Sequence, residues 1–211
     1  MRQELLWLPA VPLWAALGCF CGPLMAQDRV IEYATESDLA YRESDDPLVR
    51  EMCRLDLYHP VGRSGFATVV WFHGGGLTGG KRSIPEYLQS RGIAVVGVDY
   101  RLSPKVNATD CVDDAAAAVA WVFKNIAKYG GSRERVFVSG HSAGGYLTSM
   151  IGLDKSWLAK YDVDADQIAG LIPFSGHAIT PVSYTHLRAH ETNNSISYAV
   201  FCLKRGGGGG G

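Results

Sequence analysis

"VFVSGHSAGGYL", residues 136–147, is the stretch on which the reading of this chain turns. Val136, Phe137 and Val138 form a short apolar run, Gly140-His141-Ser142-Ala143-Gly144 interrupt it, and "AGGYLTSMIGL" continues as a helix. That pattern is a strand, a tight turn and a helix. The G-x-S-x-G spacing inside it suits a nucleophile elbow, in which the serine takes a strained turn that only small neighbours such as Gly140 and Gly144 accommodate. Taken alone the spacing serves equally as a plain structural turn. If Ser142 is a nucleophile, some other group must take its proton.

Outward from this stretch the chain alternates strands with helices. "ATVVWF" (67–72) and "IAVVGVDY" (93–100) are continuous apolar runs, of the kind found in a parallel sheet covered on both faces. "SIPEYLQSRG" (83–92) reads as a short helix closed by Gly92. Between Val112 and Lys128 the apolar residues Val112, Ala115, Val119, Val122, Phe123 and Ile126 recur at helical spacing. Asp113 and Asp114 would sit in the first turn, with Gly130-Gly131 as the stop. "RVFVSG" and "IAGLIPFSG" (168–176) give two further strands, and "CRLDLYHP" (53–60) an early, partly exposed one. Repeated strand-helix-strand units imply right-handed crossovers and a doubly wound, mostly parallel α/β sheet.

Composition agrees with one globular domain: 47% of the 211 residues are hydrophobic, and ten tyrosines and five tryptophans supply bulk for a core. Twenty Lys and Arg against 21 Asp and Glu leave a net charge of −1, with no basic block to hold nucleic acid or an anionic membrane surface. Residues 1–26 carry Arg2, an apolar run from Leu5 to Phe20 and small residues ending at Ala26, a secretory signal pattern that predicts a secreted or periplasmic protein. Pro9 and Pro12 interrupt the run, and its unbroken part falls short of the ~20 residues of a spanning helix, so no stable membrane span is expected. Cys19 carries a faint lipoprotein-like context. From Val182 onward, "VSYTHLRAHETNNSISYAVFCLKRGGGGGG" has neither helical nor alternating period and resembles a translated sequencing-library adapter. The native domain is therefore expected over 27–181, as the N-terminal portion of a longer fold, with 182–211 a non-native tail.

A second motif gives the first its meaning. "HGGG" (His73 to Gly76) directly follows the strand "VVWF", where glycines let backbone N–H groups turn towards a developing oxyanion. Each motif follows a strand, and the segments between them are helix, strand and helix. Both therefore fall on one carboxyl edge of the sheet, where open α/β sheets bind ligands.

The order "WFHGGG", "VDYRLSP", "GHSAGG" resembles the serine esterase and lipase branch of the α/β-hydrolases, in particular secreted esterases of the feruloyl and acetyl type acting on decorated plant polysaccharide. The resemblance covers roughly Cys53 to Thr180. It implies Ser142 as nucleophile, the backbone N–H groups of Gly75, Gly76 and Ala143 as oxyanion hole, and His73, Gly74, Gly140 and Gly144 as supporting residues, with a small or polysaccharide-linked ester as substrate. It also implies that an acid and then a histidine follow the serine in the chain, beyond the strands this sequence reaches. Two alternatives stay open: a serine peptidase of the prolyl-oligopeptidase kind, where an aromatic residue rather than Ala143 usually follows the serine, and a non-catalytic binding relative.

The remaining chemistry-bearing residues read as follows. His186 and His190 fall in the adapter-like tail, and His177 ends a strand as a polar loop residue. His73 braces its turn, His141 points away from the pocket, and His59 beside Pro60 lies at the surface. Asp99 and Arg101 tie the loop after their strand to its neighbours. Asp154, Asp162, Asp164 and Asp166 are solvent-facing charges without a calcium loop, and Asn107-Ala108-Thr109 is a glycosylation sequon. No cysteine-histidine cluster suggests zinc, and no cofactor is implied. Cys53 and Cys111 fit either a disulfide or buried thiols.

Overall fold

The computed structural model describes residues 30–176. Contacts divide the chain into Met1–Val30 and Ile31–Gly211, and the description concerns the second unit. The expected leader (1–26), the adapter-like tail (182–211), Cys19, His177, His186 and His190 lie outside the described residues.

Six strands form one sheet in the order β1-β2-β4-β3-β5-β6. They are β1 (Tyr33–Ala40), β2 (Arg54–Pro60), β3 (Phe66–Phe72), β4 (Ala94–Val98), β5 (Gly131–His141) and β6 (Gly170–Phe174). The four from β4 to β6 run parallel, and β2 is antiparallel to both β1 and β4. The expected doubly wound, mostly parallel α/β sheet is what the chain forms. Helices α1 (Pro47–Met52), α2 (Ala108–Asn125), α3 (Ala143–Leu153) and α4 (Ser156–Ala159) complete the regular structure.

The core lies between one sheet face and α2 and α3. Leu55, Leu57, Val70, Phe72, Val96, Val98 and Val138 are buried there against Val119, Val122, Phe123, Leu147 and Ile151. Ala115 to Ala118 are all buried along α2, and their small side chains let that helix lie close. Truncating a fully buried aromatic such as Phe72 in a core of this kind costs about 3–5 kcal/mol.

Four local expectations need correction. First, β1 was not foreseen: none of its eight residues is buried, so it shows no apolar alternation, and its register breaks between Glu36 and Leu39. Tyr33 stacked on Tyr58 at 4.6 Å helps hold this edge strand. Second, residues 83–92 form only a 3₁₀ turn at Glu86–Leu88, entered from an extended Pro85 and followed by Ser90 and Gly92 at positive φ. Third, α2 starts at Ala108, where the Asp110 carboxylate accepts the Asn107 N–H at 2.9 Å. That start moves Asp114 out of the first turn and into the core, where it is completely buried. Fourth, His59 is buried, not superficial, with its ring edge-on to Tyr129 at 5.3 Å. The acidic stretch holds its expectation better: Asp154, Asp162, Asp164 and Asp166 are exposed, although α4 lies among them.

Asp114 is the buried charge on which this side of the sheet depends. Arg101 grips it with two parallel bonds, Nε to Oδ2 at 2.7 Å and Nη2 to Oδ1 at 2.8 Å, and the Arg101 N–H adds a third at 3.1 Å. Arg42 Nη1 donates to its Oδ1 as well. The hydrogen bonds to Asp114 hold the Arg101 guanidinium well above its usual range. Cys53 and Cys111 are free thiols in the same region, and burial pushes each up to about 12.

Asp114→Ala should cost about 3–5 kcal/mol of unfolding free energy, because it leaves the largely buried Arg101 guanidinium without its carboxylate, while Arg42 keeps Asp113. Asp113→Ala, whose carboxylate is partly exposed and paired with Arg42 and Lys160, should cost no more than about 1 kcal/mol. Urea unfolding of the two variants tests the contrast. Peptide mapping after brief alkylation should find Cys53 and Cys111 unmodified in the folded chain and modified in denaturant.

Candidate active site

The elbow forms as the spacing requires. β5 ends at His141, α3 begins at Ala143, and Ser142 between them takes φ 55°, ψ −113°, outside the regions an ordinary residue prefers. Strain of about 1–3 kcal/mol at such a residue persists only when its surroundings fix it. Here the Ser142 N–H donates to Phe174 O at 2.8 Å and its carbonyl accepts Tyr146 N–H at 3.0 Å. A Cβ on Gly144 would lie 2.0 Å from Phe72 O, and one on Gly140 would lie 2.7 Å from the same oxygen. The ends of β3, β5 and α3 therefore meet backbone to backbone. β6 does the same from the other side, since a Cβ on Gly176 would come within 2.3 Å of the Gly145 carbonyl carbon. Gly145 and Gly176 lie outside the five-residue motif, so spacing gives them no role.

The "HGGG" loop comes to the same place. β3 and β5 pair through Phe72 and Gly140, so the residues after each are neighbours. A Cβ on Gly74 would sit 3.5 Å from Ser142 Cβ and 3.1 Å from His141 O. Beyond it Gly75 and Gly76 take φ of 116° and 62°, and Gly75 O accepts Thr78 N–H at 3.0 Å and Gly79 N–H at 3.1 Å, closing the loop on itself. The helix starting at Ala143 adds free N–H groups and a positive dipole end beside Ser142.

His73 braces this loop from inside. Its ring stacks on Tyr100 at 4.4 Å and 11°, the Tyr100 hydroxyl donates to its carbonyl at 2.9 Å, and its Nδ1 lies 2.7 Å from Gly74 O. Since a carbonyl only accepts, Nδ1 carries the proton. Burial lowers the His73 pKa below its ordinary value of 6.5, against opposing effects of Gly74 O and Asp99.

Of three further side chains, two keep the expected role and His141 departs from it. Asp99 pairs with Arg82, through Arg82 N–H to Oδ1 at 2.5 Å and Nη1 to Oδ2 at 2.7 Å, while Arg101 turns to Asp114. Both residues do tie the loop down, to partners the spacing could not name. His141 lines a cleft of about 640 Å³ instead of pointing away from it. It stands opposite Phe174 in the β5–β6 register, and neighbours in register share a sheet face. Trp71, Tyr87 and Phe174 form the aromatic wall, with Trp71 steeply inclined to Tyr87 at 6.0 Å and 81°. Ser83 and Ser175 add hydroxyls. Among the described residues no three His, Cys, Asp or Glu side chains group to hold a metal, no helix is long and apolar enough to cross a membrane, and no histidine follows Ser142.

A parallel sheet with a strained serine at the head of a helix and a glycine loop beside it defines an α/β-hydrolase. The chain belongs to the BD-FAE family, whose model matches residues 55–176. It is 33% identical over 172 residues to a fumonisin B1 esterase of Sphingopyxis macrogoltabida, covering 71% of this chain and 30% of that protein. It is 37% identical over 97 residues to a carboxylesterase of Mycobacterium tuberculosis, covering 44% of this chain and 30% of the relative. Among solved structures, esterase B of Lactobacillus rhamnosis superposes with a TM-score of 0.53 at 32% identity, covering 66% of this chain and 46% of that one. The chain thus spans about a third or less of these curated relatives and about half of that structure.

Gly144→Ala should prevent the elbow from closing and lower the melting temperature sharply. Gly79→Ala, whose Cβ would meet nothing within 4 Å, should fold as the parent does. The His73 shift also fixes the sign of a pH effect. Its folded pKa lies below the unfolded one, so the unfolded chain binds the proton first and stability contributed by neutral His73 is lost as pH falls below about 6.5. Unfolding free energies between about pH 8 and 5 should fall less steeply in His73→Gln than in the parent.

Proposed function

We propose that the protein is a serine carboxylesterase that hydrolyses small acyl esters through an acyl-enzyme. The observation that carries the reading is the contact of two motifs at one sheet edge: Ser142 at φ 55° with Gly74 packed against it. Ser142 Oγ attacks the ester carbonyl and forms the new C–O bond. The N–H groups of Ala143, Gly75 and Gly76 take up the charge on the former carbonyl oxygen. The proton from Ser142 passes through a general base to the departing alcohol, and water then cleaves the acyl-enzyme by the reverse proton path. His73 is unsuited to be that base, since its Nδ1 is committed to Gly74 O and its Nε2 faces Asp99. The base and its orienting acid are therefore expected outside residues 30–176.

Acetyl or feruloyl esters, free or on polysaccharide, are the substrates proposed. The support is that the relatives named above are esterases. Secretion to the outside or the periplasm belongs to the same proposal and rests on the leader pattern of residues 1–26.

In a protein that turns over chromogenic acetate esters, Ser142→Ala should abolish hydrolysis. Undiminished turnover in that variant removes the assignment. Gly75→Ala would place a Cβ 2.2 Å from Gly79 O, twist the loop and cost on the order of 10²-fold in kcat.

A further inference from the structure

The stretch "VDYRLSP" (98–104) has no part in the reaction just proposed, yet it meets the glycine loop at both ends. This stretch, at the end of β4, is itself held fast. The Asp99 N–H donates to Arg54 O at 2.9 Å, and the Tyr41 hydroxyl donates to Asp99 O at 2.7 Å. Arg101 is pinned to Asp114 by its N–H, Nε and Nη2, and the Cys111 thiol donates to its carbonyl at 3.1 Å.

From this base two hydrogen bonds reach the loop. The hydroxyl of Tyr100, a fully buried residue, donates to His73 O at 2.9 Å, and the Ser103 N–H donates to Leu77 O at 2.8 Å. His73 is the last residue before the three glycines and Leu77 the first after them. A trans peptide is planar, so the C=O of one residue and the N–H of the next point in opposite directions and turn together. The Tyr100 hydroxyl therefore sets the direction of the Gly74 N–H. At the other end Ser103 sets the Thr78 N–H, which donates to Gly75 O at 3.0 Å, and the peptide carrying Gly75 O also carries the Gly76 N–H. Leu77 takes φ 60°, a conformation that a bulky residue keeps only where its surroundings fix it.

We propose that "VDYRLSP" is the template of the glycine loop and that Tyr100 is a positioning residue for the ester hydrolysis. Its hydroxyl aims the peptide at which the loop begins, while the Ser103 N–H aims the one at which it ends. This rests on the reading of Gly75 and Gly76 as oxyanion donors. Tyr100 touches no reacting atom. Its effect on rate comes through direction, since such donors act only when aimed at the place where charge develops. A misplacement of about 1 Å can cost on the order of 10²-fold in rate.

Tyr100→Phe removes one oxygen and keeps the ring that stacks on His73 at 4.4 Å. Two-dimensional NMR of the full chain should then show the Gly74 amide moved, Gly75 moved by less, and Gly76, held from Ser103, moved least. Placing 3-fluorotyrosine at the same position makes the hydroxyl a stronger donor and should move the Gly74 nitrogen in the opposite direction; it decides the matter if Tyr100→Phe fails to fold. Tyr161→Phe, which loses a hydroxyl bond to Asp113 instead, should leave all three amides in place. In a protein that turns over acetate esters, Tyr100→Phe should lower kcat about tenfold with KM unchanged, and Tyr161→Phe should change neither. The proposal is overturned by a Gly74 amide that stays put in folded Tyr100→Phe, by a shift of the same sign with the fluorinated ring, by Gly76 moving as far as Gly74, or by an unchanged kcat. Ser142→Ala keeps the two readings apart: turnover surviving in it would reject the nucleophile and leave the amide result standing.

Discussion

The close approach of Phe72 O to Gly144 is the contact on which the rest depends. Here α3 starts one residue after β5 and passes so close to the end of β3 that the crossing residues must lack side chains. Gly140 and Gly144 provide that gap, and Gly145 with Gly176 repeats it towards β6. Once the backbones are this close, the chain between His141 and Ala143 has no slack, and Ser142 is left at positive φ with its N–H on Phe174 O. The strain at Ser142 is a consequence of the packing beneath it.

The same compression explains why the "HGGG" loop abuts the serine. β3 and β5 are adjacent and in register through Phe72 and Gly140, so whatever follows Phe72 must pass over the elbow. At Gly75 a Cβ would meet Gly79 O at 2.2 Å with φ at 116°, and the loop then closes through Gly75 O. Its outer side is steadied by a ring and a hydroxyl from Tyr100, and by the charge network that runs from Asp99 through Arg82 to Asp38 and Asp56. Asp99 is buried in that network while Asp38 is exposed, so the outer pairs add little to stability. Asp114 with Arg101 and Arg42 steadies the α2 side.

The sequence by itself determined the sheet strands buried on both faces, the nature of the turn at Ser142, and the meeting of two motifs at one edge. Each follows from local facts: runs of β-branched residues, glycine spacing, and the rule that parallel strands present their carboxyl ends together. Tertiary structure alone decided the partners. β1 has no buried face to announce it, and residues 83–92 look helical until Pro85 and the turn at Ser90 are placed. Asp99 and Arg101 are two residues apart yet answer to Arg82 and Asp114, because Asp99 still belongs to the strand end while Arg101 has turned towards α2. His141 faces the cleft because its register partner is Phe174. Spacing along a chain carries periodicity and turns, but the partner of a charge is set by which segments the sheet order brings side by side.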